Sequence, residues 1–278
     1  MMITTVLLLI EHYNEGETQQ EARTHIESLG LSCFTEFKDG QNGISSADTF
    51  AFTDDRALAD LLKATGIGFA VYDNDKSRAA SFPDALYLID RISVLSLAQI
   101  ERMLLRFLKL PWQIAKTPRC LIREITLNDV DALYELYGED AEAFRYTEGL
   151  FADPDREKAY TRDYIEQQYR FYEYGIWIVT DRETGEIIGR AGIDNRQGYE
   201  DPELGYVFAL SYRHKGYAFE VCSAILTYAA NILQIGRLNA FTIRENTDSV
   251  KLLKRLGFSF VQEVLLNDVA HDLYRITL

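Results

Sequence analysis

The sequence predicts a mixed α/β protein of two domains, and three observations lead to this fold class. The 278 residues are enough for two ordinary domains, each with its own core. Short β-branched apolar runs alternate with amphipathic helical segments along the first part of the chain. The segment 110–118 then contains two of the five prolines, which block the continuation of a helix. We therefore predict a domain at 1–109, a linker at 110–118 and a second domain at 119–278.

Composition limits the classes of function. A net charge of −14 argues against a nucleic-acid partner, because contacts to phosphates need a basic face. No apolar run approaches the roughly 20 residues that span a bilayer, and the first ten residues lack the features of a signal peptide. We therefore expect a cytoplasmic protein with no membrane partner. The three cysteines and four histidines show no metal-ligand spacing, so we expect no metal.

The first domain is predicted to alternate strands with helices. The predicted strands are 4–10, 31–37, 49–53, 67–72 and 85–89, and the predicted helices are 17–29, 55–64 and 96–108. This alternation is typical of a small parallel sheet, Rossmann-like in outline.

One stretch of this domain resembles a hydrolase family. The segment AFTDDRALADLLKATGIGFAVYDND is similar to the last strand-helix-strand unit of haloacid-dehalogenase-type hydrolases, in which an acidic pair helps to hold magnesium. Asp54 and Asp55 have the position of that pair. Those enzymes also need an aspartate nucleophile after the first strand, where this chain has Glu11 and His12. We therefore interpret the domain as degenerate and non-catalytic, with the acidic residues serving as turn residues and helix caps.

The second domain is predicted to combine a mixed sheet with helices. Thr126 and Asp129 form a capping box before a helix that runs through Tyr137. The other predicted elements are strand 120–124, helix 154–172, hairpin 175–181 and 186–194, strand 203–210, helix 217–233, strand 238–243, helix 246–256, and the β-pair 258–263 and 271–277.

Helix 217–233 carries one apolar stripe. Val221, Cys222, Ile225, Ala229 and Ile232 recur at steps of three and four residues, which predicts that this stripe faces the core. Cys222 lies on the stripe, so we expect a small buried hydrophobe rather than a nucleophile.

The turn between strand 203–210 and the following helix has the composition of a phosphate site. The first N–H groups of a helix have no internal partner and lie at the positive end of its dipole. Gly216 allows the backbone to approach an anion closely, and Arg213 and Lys215 add full charges. The alternative is an ordinary strand-to-helix turn with solvated basic residues.

Three short motifs resemble those of the GCN5-related N-acetyltransferases (GNAT), in that family's order and spacing. They are the pyrophosphate loop Arg213-x-x-Gly216-x-Ala218, the central strand Glu203-Leu204-Gly205-Tyr206, and the helix pattern Asn246-x-x-Ser249 followed by Leu256-Gly257-Phe258. The last two are similar to the branch that acetylates the N-termini of ribosomal proteins. The resemblance extends over about 119–278 and implies the GNAT fold for that domain.

The resemblance also implies a reaction and its residues. It implies transfer of an acetyl group from acetyl-CoA to a primary amine in a ternary complex, with Glu203 as the base. The general acid is implied to be Ser249, because the tyrosine that many members carry seven residues after Asn246 is Leu253 here. The implied contacts to acetyl-CoA are Phe208, Ala209, Leu210, Arg213, His214, Lys215, Gly216, Tyr217, Ala218 and Asn246. The implied acceptor pocket includes Tyr146, Glu148 and Tyr172.

The sequence leaves alternatives open at each of these positions. Glu203 could be a solvated carboxylate at a strand end, or a partner of Arg190 or Arg196, and Ser249 could cap the backbone of its helix. The tyrosines of helix 154–172 could be packing residues. A non-catalytic protein that binds or senses acyl-CoA, with a ligand-binding first domain, is the alternative function. The acceptor could be a protein N-terminus or a small-molecule amine, and a homodimer is an assembly that the sequence allows.

Overall fold

The computed structural model describes residues 3–37, 44–83, 85–138 and 149–278. The chain divides into two compact units, Met1–Trp112 and Gln113–Leu278. The predicted linker 110–118 therefore needs a correction, because Gln113–Lys116 form a strand of the second unit. Trp112 and Ile114 are buried.

The first unit contains a five-stranded sheet in which every strand pair is parallel. The strands are β1 (Thr5–Leu9), β2 (Ser32–Phe34), β3 (Thr49–Thr53), β4 (Gly68–Tyr72) and β5 (Leu88–Ile89), in the order β2-β1-β3-β4-β5. The helices are α1 (Gln19–Ser28), α2 (Arg56–Ala64), the single turn α3 (Asp75–Arg78) and α4 (Leu97–Phe107). Parallel strands need crossover connections, and the alternation of elements in the sequence supplies them.

Helices cover both faces of this sheet. Successive residues of a strand point to opposite faces, and β1 is apolar on both. Val6 and Leu8 pack in a cluster with residues of α1 and α4, whereas Leu7 and Leu9 pack with residues of α2. The uninterrupted apolar run of β1 thus follows from its burial between two helical layers.

The acidic pair after β3 holds loops in place. Buried Asp54 accepts hydrogen bonds from the backbone N–H groups of Glu11 (3.1 Å) and His12 (3.2 Å) and from the amide of Asn74 (2.8 Å). Asp55 is the N-cap of α2 and accepts from the N–H of Leu58 at 3.0 Å. Both carboxylates therefore have the turn and capping roles that the sequence predicted. The resemblance of this unit to haloacid dehalogenases stays a prediction.

The second unit is built on an eight-stranded sheet in the order β12-β13-β11-β10-β9-β8-β7-β6. The strands are β6 (Gln113–Lys116), β7 (Cys120–Arg123), β8 (Ile176–Asp181), β9 (Ile187–Asp194), β10 (Glu203–Phe208), β11 (Arg237–Thr242), β12 (Ser259–Leu266) and β13 (Val269–Thr277). The helices are α5 (Val130–Gly138), α6 (Pro154–Tyr164, a π-helical turn at Ile165–Tyr169, and Arg170–Tyr172), α7 (Tyr217–Asn231) and α8 (Thr247–Arg255). No described helix is long and apolar enough to cross a bilayer.

Helix α7 covers one face of this sheet. Val221, Cys222, Ile225 and Ala229 are buried, as the helical spacing predicted, and Tyr228 packs edge-on against Trp177 of β8. Ile232 lies beyond the last turn and is half exposed, so its predicted place on the buried stripe is wrong.

Helices α5 and α6 cover the opposite face, where two tyrosines of α6 hold the start of β8. The hydroxyl of Tyr164 accepts the N–H of Ile176 at 2.7 Å, and the hydroxyl of Tyr169 donates to the carbonyl of Ile176 at 2.6 Å. A π-helical turn brings residues five apart onto one side of a helix. These two tyrosines are therefore packing residues, which was one of the alternatives left open by the sequence.

The neighbouring strands β10 and β11, in the middle of the sheet, diverge after a single residue pair. Strands β9 and β10 pair along all six residues of β10, from Glu203 to Phe208. The parallel pairing of β10 with β11 is confined to Glu203 and Asn239. A wedge-shaped cleft therefore opens between β10 and β11 beyond that pair.

Candidate active site

The edge of β10 that faces the cleft can be read from its hydrogen bonds. At one end of the strand, the N–H of Asn239 in β11 donates to the carbonyl of Pro202 at 2.8 Å. At the other end, the N–H of Ala209 donates to the carbonyl of Ile188 in β9 at 2.9 Å. Backbone N–H and C=O groups alternate in direction along a strand. Those that point toward β11 therefore belong to Leu204, Tyr206 and Phe208. Beyond the Glu203–Asn239 pair, this edge can accept an extended ligand as an added strand.

The segment after β10 is held by contacts within the segment itself. The strand ends at Phe208, and Leu210–Tyr212 form a 3₁₀ turn. The guanidinium of Arg213 donates twice to the carbonyl of Phe208, at 3.0 and 2.9 Å. The carbonyls of Ala209 and Leu210 accept from the N–H groups of Tyr212 and Arg213. Arg213 therefore holds the loop, and the cleft edge of β10 includes the backbone of Tyr206. The predicted contacts of Ala209 and Leu210 to acetyl-CoA stay predictions.

The loop that enters α7 presents backbone N–H groups. Gly216 is the N-cap residue in the left-handed region (φ +83°), and His214 also has a positive φ of +57°. Within the described part of the chain, no side chain caps the first turn of α7. The backbone N–H groups of Tyr217 and Ala218, in the first turn of α7, are thus available to an anion, and Lys215 adds a nearby charge.

Arg119 fixes this loop from the start of β7. Its guanidinium donates to the carbonyl of Lys215 at 3.0 Å and to the carboxylate of Glu220 at 2.7 Å, and it lies 4.0 Å from the ring centroid of Tyr217. These contacts hold the loop in place without using its N–H groups. No sequence signal indicates this role, because Arg119 is 96 residues from Lys215 and belongs to no motif.

Glu203 lies at the point where β10 and β11 part. Arg196 holds it with a two-pronged ion pair of 2.6 and 2.7 Å, which identifies the partner among the two arginines that the sequence left open. The same arginine lies 5.1 Å from the ring centroid of Phe241 on β11. Each carboxylate oxygen keeps a second lone pair after this pairing. The carboxylate is thus oriented at the closed end of the cleft.

Ser249 and Tyr206 form a hydrogen-bonded pair across the other side of the cleft. Their hydroxyl oxygens are 2.6 Å apart. Burial raises the pKa of Tyr206 well above its usual value, so this hydroxyl stays protonated in the physiological range. The side chain of Asn246 accepts the N–H of Ser249 at 3.2 Å and is the N-cap of α8. The sequence indicates no role for Tyr206. Among the described residues, the hydroxyl of Ser249 bonds Tyr206 and does not cap the backbone of its helix.

The predicted acceptor residues are only partly within the described chain. Tyr172, at the end of α6, is 42% exposed and stacks edge-on with Phe171 at 4.8 Å between ring centroids. Its ring is also 5.7 Å from that of Tyr174. Tyr146 and Glu148 lie outside the described residues.

Comparison with known proteins decides the family. The family model described as "Acetyltransferase (GNAT) domain" matches residues 119–259. The chain belongs to the GNAT acetyltransferase family. This membership makes the protein an enzyme, an N-acetyltransferase, and it confirms the resemblance of the three motifs to GNAT proteins.

Two relatives of this GNAT protein carry the name of N-acetyltransferases. It is 31% identical over 142 residues to the uncharacterized N-acetyltransferase YnaD of Bacillus subtilis, covering 51% of this chain and 79% of YnaD. It is 32% identical over 164 residues to the uncharacterized N-acetyltransferase p20 of Bacillus licheniformis, covering 55% of this chain and 84% of p20.

Solved structures establish the GNAT fold. RimL, a ribosomal L7/L12 α-N-protein acetyltransferase in complex with coenzyme A, superposes with a TM-score of 0.53 at 16% identity, over 60% of this chain and 98% of RimL. The ribosomal-protein-S5-alanine acetyltransferase of Vibrio fischeri gives a TM-score of 0.52 at 17% identity, over 59% and 95% of the two chains.

Proposed function

We propose that this GNAT protein transfers the acetyl group of acetyl-CoA directly to a primary amine. The observation that carries the proposal is the cleft edge of β10, which runs from Glu203 toward the uncapped first turn of α7. An extended pantetheine arm fits the strand edge at Tyr206, and a pyrophosphate fits the N–H groups at Gly216 to Ala218. Asn246, at the N-terminus of the neighbouring helix α8, is proposed as a further contact to the pantetheine arm.

The chemistry of the proposed step uses the closed end of the cleft. Glu203 accepts a proton from the acceptor ammonium, directly or through a water, and so makes the nitrogen nucleophilic. The nitrogen attacks the thioester carbonyl, a C–N bond forms, and the C–S bond breaks. Tyr206 donates its proton in a hydrogen bond to Ser249, which leaves the hydroxyl proton of Ser249 free to donate to the departing sulfur. After the attack the nitrogen loses a second proton, which passes through water to the oxygen of Ser249 and restores its hydroxyl, and Glu203 releases the first proton to solvent.

A comparison of two glycines tests the cofactor site. Gly216 and Gly185 both have a positive φ, +83° and +77°, and an added Cβ meets no atom closer than 3.6 Å at Gly216 and none within 4 Å at Gly185. Both Gly→Ala variants therefore pay about the same backbone strain, roughly 1–2 kcal/mol. Acetyl-CoA at a hundredfold excess over Kd stabilises a native protein by about 2.7 kcal/mol.

We expect acetyl-CoA to raise the Tm of the wild type and of Gly185→Ala, and to raise that of Gly216→Ala much less. NAD serves as the control ligand. A wild type whose Tm does not respond to acetyl-CoA at millimolar concentration would sink the proposal. If acetyl-CoA raised the Tm of Gly216→Ala as much as that of the wild type, the pyrophosphate would not bind at this turn.

Replacement of Tyr206 by Phe tests the hydroxyl pair. The change removes one buried hydrogen bond and frees Ser249 to rotate, so we expect kcat to fall by roughly tenfold or more while the affinity for acetyl-CoA is kept. Release of the CoA thiol with a saturating amine measures kcat, and isothermal titration measures affinity. The control is Tyr212→Phe, which removes the hydroxyl that bonds Glu186 at 3.2 Å near the surface. Equal kcat values for the wild type and Tyr206→Phe would remove Tyr206 from the mechanism.

The acceptor class is a narrower proposal. The motifs shared with the ribosomal-protein branch and the fold shared with RimL both favour an amine at a protein N-terminus. Fold likeness alone is weak support for a substrate, and small-molecule amines stay within the proposal.

A further inference from the structure

Arg190 occupies the middle of β9 on the face that α5 and α6 cover. It pairs with Val207 of β10 and with Ile178 of β8. The two-residue alternation of a strand puts its side chain on the same face of the sheet as that of Glu203. The hydroxyl of Tyr137 in α5 is 3.5 Å from its Nη1, at the limit of a hydrogen bond. The guanidinium therefore lies on the face of the sheet that α5 and α6 cover, which is the side predicted for the amine acceptor.

The charge of Arg190 has no counter-charge in the described part of the chain. Its Nε is shielded from solvent and has no hydrogen-bond partner there, and no carboxylate lies within ion-pair distance of it. Four other arginines of the same unit hold a carboxylate: Arg119 with Glu220 (2.7 Å), Arg123 with Asp129 (2.7 Å), Arg196 with Glu203 (2.6 Å) and Arg244 with Asp272 (2.9 Å). Arg182 and Arg213 donate instead to backbone carbonyls.

An unpaired cation in such a place is costly. A guanidinium withdrawn from water loses hydration that tyrosine hydroxyls replace only in part, and buried charges are normally paired. It has five N–H donors in a planar fork, which matches the oxygens of a carboxylate or a phosphate. An anionic ligand group would supply the missing partner.

The strand register sets the position of Arg190 relative to the cleft. Its partner Val207 is two residues from Gly205 and four from Glu203 on the same face of β10. At about 3.3 Å per residue along a strand and about 5 Å between strands, Arg190 is roughly 8 Å from Gly205 between Cα atoms. An amine that reacts beside Glu203 can thus belong to a molecule whose far end contacts Arg190.

We propose that Arg190 binds an oxyanion, a carboxylate or a phosphate, on the amine acceptor, several bonds away from the reacting nitrogen. This inference rests on the proposed acetyl transfer and narrows its substrate class. It disfavours polyamines and other purely cationic amines, although the chain as a whole is acidic. It favours ω-amino acids, amino phosphates and N-terminal segments that carry an acidic side chain.

Matched acceptors test the proposal with the wild-type protein. We expect 5-aminopentanoate to be acetylated with a kcat/KM at least tenfold above that of 5-aminopentanamide, which lacks only the charge. A second pair, 3-aminopropyl phosphate and 3-aminopropanol, separates phosphate from carboxylate as the preferred group. Equal kcat/KM values within both pairs would overturn the proposal.

A variant then assigns the preference to Arg190. In Arg190→Met we expect the advantage of the anionic acceptors to vanish, while the rate with the neutral acceptors and the affinity for acetyl-CoA are kept. Arg190→Lys should restore part of the advantage. The matched control is Arg162→Met, an exposed arginine of α6, which should keep the full preference. A preference that persists in Arg190→Met contradicts the assignment.

Failure of the proposed function is distinguishable from failure of this inference. If acetyl-CoA binds but no amine is acetylated, glutarate and inorganic phosphate serve as acceptor fragments without an amine. We then expect either anion to raise the Tm of the wild type but not that of Arg190→Met. Identical responses of the two proteins would refute the anion site, whatever the enzyme acetylates.

Discussion

Glu203→Gln should lower kcat/KM for amine acetylation by roughly 10²–10⁴, because glutamine keeps the size of the side chain and loses the base. The affinity for acetyl-CoA should stay within about twofold of the wild type, since the strand edge and the α7 N-terminus are untouched. Thiol release at several pH values measures the first quantity, and titration calorimetry measures the second.

The ion pair with Arg196 decides how this experiment is controlled. Loss of the charge also releases Arg196, whose guanidinium lies near Phe241, so a structural effect could imitate a catalytic one. Asp73→Asn is the matched control: it removes a carboxylate that Arg78 holds in a similar two-pronged pair, at 2.7 Å for both contacts, in the first unit rather than at the cleft of the second. A Glu203→Gln enzyme with wild-type turnover would favour the alternative in which the carboxylate only braces the cleft. A wild type that binds acetyl-CoA and turns over no amine would favour a binding or sensing protein.

Gly192→Ala should be the most damaging small substitution for the second unit. A Cβ at this position would lie 2.1 Å from the carbonyl oxygen of Gly175 and 2.7 Å from the Cα of Ile176, and both are backbone atoms that cannot move aside cheaply. We expect a loss of about 3 kcal/mol or more in the free energy of unfolding. For a unit of this size, the corresponding fall in Tm is about 6–12 °C.

Gly205→Ala is the control for this effect. Gly205 pairs with Gly192 across β9 and β10, yet its added Cβ would meet only the end of the Ile176 side chain at 3.4 Å. We expect a change of no more than about 0.5 kcal/mol in the same thermal or urea unfolding experiment. Similar losses for the two variants would mean that the tight contact between β9 and the start of β8 does not exist in solution.

Local chemistry explains why much of the fold could be predicted. The capping box of Thr126 and Asp129 is present as its spacing required, and the uninterrupted apolar run at 5–9 is a strand buried on both faces. Prediction failed where the signal was weak or where tertiary contacts decided. Gln113–Lys116 is short and polar next to a proline, and it becomes a strand only because β7 pairs with it.

The same distinction applies to the candidate site. Glu203, Gly216 and Ser249 became candidates from the sequence because motifs fix their spacing, and their roles stay predictions. Tyr206 is 43 residues from Ser249, so the pairing of the two hydroxyls depends on how α8 packs beside β10. Arg190 belongs to no motif, and its lack of a counter-charge among the described residues depends on the folded neighbourhood alone. Long-range contacts of this kind leave no periodicity in the chain.

The divergence of β10 and β11 also makes acetyl-CoA a candidate structural component of the enzyme. One residue pair joins the three strands on one side of the divergence to the five on the other. In the free protein, the backbone amide of Tyr206 should therefore exchange its hydrogen for deuterium readily, although it lies in a central strand. A bound pantetheine arm would bridge the two parts of the sheet and slow that exchange. The sheet would then be continuous across β10 and β11 only while acetyl-CoA is bound. Each release of CoA would make the centre of the sheet less stable.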